Sequence, residues 1–97
     1  MPTYVSLINW TDQGIENFRD TTHRAEDFSK LVESAGGTVR ELLWTTGEYD
    51  IVCIADFSGE EAAAAALLKV GSAGSIRSST MRAFNSEEMA GIIRRAG

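Results

Sequence analysis

The sequence predicts an α+β fold, one four-stranded antiparallel sheet carrying helices, and three observations predict it. Strand-like and helix-like segments follow one another in the order β-α-β-β-α-β, with one more helix at the C-terminus. The second and third strands are separated only by the short turn around Gly47, whereas every other pair of consecutive strands has a helix between them. The chain of 97 residues is 43 % hydrophobic and 24 % charged, which suits a single domain over residues 1–97 with one core.

Tyr4 to Trp10 mixes β-branched, aromatic and aliphatic residues without a 3.6 period and reads as the first strand, Val5 and Leu7 pointing one way, Tyr4, Ile8 and Trp10 the other. Thr11-Asp12-Gln13-Gly14 is turn chemistry and reads as a loop. From about Asp20 to Ala35, Ala25, Phe28, Leu31, Val32 and Ala35 recur at helical spacing opposite Arg24, Glu26, Asp27, Lys30 and Glu33, and Gly36-Gly37 stops the helix. Thr38–Thr45 and Asp50–Phe57 form a hairpin about Thr46-Gly47-Glu48-Tyr49. Ser58-Gly59-Glu60-Glu61 matches a capping box for a second helix through Ala62–Leu68 to about Val70, its alanines allowing close approach to the sheet. Ser75–Phe84 is the fourth strand. Asn85-Ser86-Glu87-Glu88 then caps a short helix on which Met89, Ile92 and Ile93 can pack and Arg94 and Arg95 suit the C-terminal dipole. The whole is the ferredoxin-like, split βαβ arrangement.

The totals exclude several classes. A net charge of −5 and a pI near 4.7 oppose binding to a phosphate backbone, so no nucleic-acid partner is expected. No apolar stretch reaches the roughly 18 residues of a membrane span. Cys53 is the only cysteine, and with no signal peptide at the N-terminus a cytoplasmic location is expected. The first and third strands are apolar on both faces, and two helices cover only one. Leaving Tyr4, Ile8, Trp10 and half of Ile51–Phe57 in water would expose a large patch, which predicts a homodimer or higher homo-oligomer with sheets packed together.

Tyr4 to Gly14, the Thr46-Gly47-Glu48-Tyr49-Asp50 turn with its apolar strand, Gly71-Ser72-Ala73-Gly74-Ser75 and Met81-Arg82-Ala83-Phe84 together resemble bacterial GYD-domain proteins over essentially the whole chain. The resemblance implies a dimeric α+β barrel and brings no reaction with it. The hairpin is also similar to the effector-sensing domain of the Lrp/AsnC regulators, which implies assembly and binding of small metabolites at subunit contacts. The DNA-binding helix-turn-helix of those regulators has no counterpart here.

The candidate site residues read in two ways. Tyr49 and Asp50 satisfy the turn and the dimer seam, or with Glu48 they form the polar lip of a pocket. Asn9 and Trp10, followed by Asp12 and Gln13, stand at a strand end where a pocket mouth would lie. Trp10 and Trp44 suit core or ligand stacking, and Arg77 and Arg82, five apart on a strand, face opposite sides, so at most one enters a barrel. Ligand binding is expected at Asn9, Trp10, Trp44, Glu48, Tyr49, Asp50 and Arg82. His23, the only histidine, rules out a His-rich metal site, and it reads as surface in the first turn of a charged helix. No metal or cofactor is implied. The expected role is a small-metabolite-binding or sensing and oligomerisation module. The alternative is a small barrel enzyme of monooxygenase, isomerase or cyclase type with His23, Tyr49 or Asp50 as acid or base, though no histidine of the second helix is there to ligate haem.

Overall fold

The computed structural model describes residues 1–97. Strand β1 (Thr3–Trp10) leads through a short helix α1 (Asp12–Glu16) and a 3-10 turn at Phe18–Asp20 into α2 (Thr21–Ser34). The hairpin of β2 (Thr38–Trp44) and β3 (Ile51–Asp56) follows, then α3 (Glu60–Ser72), β4 (Ile76–Ala83) and α4 (Ser86–Ala96). All strand pairs are antiparallel in the order β2-β3-β1-β4, so the α+β, β-α-β-β-α-β arrangement with a C-terminal helix is the observed fold. The first strand of the chain lies inside the sheet, between the third and the fourth.

Helix α2 lies over β2 and α3 over β4, and the two helices touch each other only lightly. Beneath them the covered face presents Tyr4, Ser6 and Ile8 of β1 and Ile51, Cys53 and Ala55 of β3, with Phe57 beyond the strand end. Val32 of α2 and Ala63 and Ala66 of α3 close this core. Burying aliphatic and aromatic side chains of this kind contributes about 1.5–3 kcal/mol each. The two alanines carry no side chain beyond Cβ, and that lets α3 come down onto the sheet.

The face assignment made from polarity is corrected here. Tyr4, Ile8 and Trp10 point toward the helices, and the face left open carries Val5 and Leu7 of β1. The registry sets two apolar rows across it: Leu43, Val52 and Leu7 in one, Ile54, Val5 and Met81 in the other. Leu43 is 54 % and Met81 45 % exposed. Alternation alone separates the two faces of a strand but does not say which one the helices take.

Three local expectations also change. The segment after β1 is helical, because Thr11 caps it by accepting the Gly14 N–H at 3.1 Å. The Ser58 capping box does not form: the helix begins after Gly59, which puts Glu61 at the second helical position, too early to reach back. Met89 and Ile93 are left exposed and Ile92 is only half-buried, since α4 stands off the body with none of its residues buried. What holds its first turn is a complete capping box, Glu88 N–H to Asn85 Oδ1 at 2.8 Å and Asn85 N–H to Glu88 Oε1 at 3.0 Å. The turn of the hairpin is as expected, with Gly47 at φ 139°, a conformation that side-chain-bearing residues rarely adopt.

Candidate functional site

Between the sheet and the two lightly touching helices lies a cavity of about 300 Å³. Its floor is Ser6, Ile8, Trp10, Leu42, Ile51 and Ile76 from all four strands, and its walls include Ala25, Phe28 and Leu31 of α2 and Leu67 and Val70 of α3. Ser6 explains the room: a small side chain sits between Tyr4 and Ile8 on the covered face, and its hydroxyl is satisfied by Thr80 Oγ1 at 2.8 Å. The floor is therefore dry chemistry with one closed polar pair.

The mouth is polar. Asn17, Thr21, Arg24 and Asp27 from the α2 side meet Lys69 and Ser75 from the α3 side. Ser75 is a buried polar residue whose Oγ accepts a hydrogen bond from the Arg24 guanidinium, and whose carbonyl accepts the Thr11 N–H at 3.1 Å. Gly14 fits against that carbonyl so closely that a Cβ would run into it. Asp27 faces His23 Nε2 at 3.6 Å, an exposed pair one helical turn apart.

Of the residues singled out from sequence, Trp10 lines the cavity directly. Trp44 reaches its edge, donating from Nε1 to Thr21 Oγ1 at 2.9 Å. Asp50 stands behind Trp10: its Oδ2 accepts the Trp10 N–H at 2.9 Å and its own N–H bonds the Ile8 carbonyl at 2.9 Å, which ties the hairpin to β1. The Tyr49 carbonyl accepts from Thr45 Oγ1 at 2.6 Å, and Glu48 is exposed in the turn. Asn9 is paired with Arg77 and, one residue from Ile8 and Trp10, lies on the open face. Arg82 lies at the other end of the sheet beside Tyr4, about 20 Å along β1 from Trp10. There it stacks 4.5 Å from the Phe84 ring centroid, donates to the Thr3 and Ala83 carbonyls, and meets Glu88 at 3.4 Å. None of His23, Tyr49 and Asp50 lines the cavity.

Cys53 is 2 % exposed beneath the helices, and burial pushes its thiol up to about 11, so it is protonated and unreactive at neutral pH. Ser6, Arg24 and Ser75 are the functional candidates that sequence reasoning missed. A serine amid the apolar residues of the first strand was the available signal for Ser6, whereas Arg24 and Ser75 come together only through the fold.

No helix is long and apolar enough to cross a membrane, and no group of three or more His, Cys, Asp and Glu side chains is arranged to hold a metal ion. A family model described as GYD domain matches residues 4–93, from the start of β1 nearly to the end of α4. No curated protein matches the chain.

Proposed function

The chain belongs to the GYD domain family, and from that premise we propose that it is a small-molecule-binding module that works as an assembly of two or more copies in the bacterial cytoplasm. The cavity carries the binding half of this reading. It is apolar, walled by side chains already in place, and at about 300 Å³ it stands at the small end of the range usual for ligand sites, about 300–1,000 Å³. The residues with acid or base chemistry that sequence reasoning favoured lie outside it, which weighs toward binding over turnover. Two unpartnered apolar surfaces support the assembly half: the two rows on the open sheet face, and the Met89 and Ile93 side of α4.

The test is an amide NMR titration with small apolar fragments. Shifts should cluster at Trp10, Phe28, Leu67 and Ile76, and the Ala25→Leu variant, which fills the space, should abolish them while keeping its helix content. Shifts scattered over the open sheet face, or none at all, would overturn the cavity as the binding site.

A further inference from the structure

We propose that the cavity takes a small carboxylic acid, its apolar body held among Trp10, Phe28, Leu67 and Ile76 and its carboxylate held at the mouth by Arg24. The inference rests on the cavity being a ligand site and adds the chemistry of what enters. Arg24 carries five N–H donors on a planar fork, the geometry that matches a carboxylate in two parallel hydrogen bonds. Its one side-chain partner is the buried Ser75 hydroxyl, which takes a single donor and steadies the guanidinium at the rim.

Arg24 has no carboxylate of its own. The ion pairs of the fold are His23 with Asp27, Arg40 with Asp56 and Arg82 with Glu88. Seven of the nine Lys and Arg have no carboxylate partner, and of these seven Arg24 and Lys69 are the two that line the cavity. Lys69 at the facing rim adds positive charge, and the single acidic side chain of the lining, Asp27, is turned to His23. Arg24 is half-buried beside apolar walls, and a charge-assisted pair there is stronger than the same pair in open solvent. A neutral ligand of the same shape would fill the walls equally well and leave the guanidinium donors unanswered.

The experiment is calorimetric titration of the full chain with 3-phenylpropanoate and with 3-phenylpropanamide, a pair alike in shape and different in charge. The acid should bind at least about tenfold more tightly, a difference of about 1.4 kcal/mol. Arg24→Gln should bring the acid down to the affinity of the amide, and Arg24→Lys should keep part of the preference, with thermal melts recorded on both to confirm the fold. Ser75→Ala, which frees the guanidinium, should narrow the difference without removing it. Equal binding of acid and amide by the unaltered chain, or an undiminished preference in Arg24→Gln, would overturn the carboxylate proposal and leave the cavity reading standing. Failure of both compounds to bind would count against both.

Discussion

At the scale of single residues, Gly14 makes the tightest approach of any glycine, against the Ser75 carbonyl, and it joins α1 to the segment between α3 and β4. Gly14→Ala should therefore cost about 1–3 kcal/mol, since backbone and not a flexible side chain must yield; a urea denaturation midpoint shifted by less than the error of the measurement would show that the two segments can part freely. Sequence reasoning found Gly14 but took it for turn chemistry, because a residue with no side chain can mark either a turn or a close approach and only the fold says which. Gly47 was legible for the opposite reason, since it acts on its own hairpin within reach of local rules, whereas Asp50, expected to satisfy the turn or form a pocket lip, gives its carboxylate to the Trp10 N–H of β1. Arg24 was read as one more charge on the polar side of its helix, and nothing in helical periodicity distinguishes an arginine facing water from one at a cavity mouth.

At the scale of elements, α4 is the segment with least support, and its start is held by the Asn85 and Glu88 side chains of its capping box. The Asn85 N–H bond, and after it the Arg82 guanidinium, hold the Glu88 carboxyl below its ordinary value of 4.5. A carboxylate whose pKa is lowered by folding stabilises fully above that ordinary value and ceases to do so as pH falls through the lowered one. The first turn of α4 should accordingly fray in acid while the sheet persists. Carbon chemical shifts followed from neutral to low pH test this: the Glu88 carboxyl should titrate below 4.5 with the helical shifts of Ser86–Met89 falling in step, and Glu88→Gln should remove the acid transition. The five-residue α1 is too short to show a period and read as a loop, whereas the four strands and α2, α3 and α4 were legible in their order, because strand and helix periods differ enough to separate on a few residues. Boundaries were less so, and the capping box expected at Ser58 failed by a single position.

At the scale of the whole molecule, the radius of gyration of 14.5 Å exceeds the about 12.5 Å expected of a compact chain of this length, and the extents of 50 × 30 × 18 Å show an elongated body with α4 standing off it. Assembly is expected to cover what the single chain leaves bare. Sedimentation at micromolar concentration should give a dimer or larger species, and pairing Leu43→Asp with Ile93→Asp should shift it to monomer without loss of helix content; a native chain that sediments as a monomer would contradict the assembly half of the proposed function. The two-sided apolar character of β1 and β3 was plain in the sequence. Which side the helices choose was not, since both sides offered comparable residues and the choice fell on the one with Tyr4, Ile8 and Trp10.

The strand order also governs the order of events while the protein is being made. β1 is synthesised before both of its partners, β3 and β4, and the Ser6–Thr80 bond spans 74 residues. The β2–β3 hairpin can close by itself on local contacts, whereas β1 gains its first neighbour only with Ile51–Asp56 and its second only with Ile76–Ala83. The contacts that complete the sheet around β1 are thus the longest in sequence and the slowest to form.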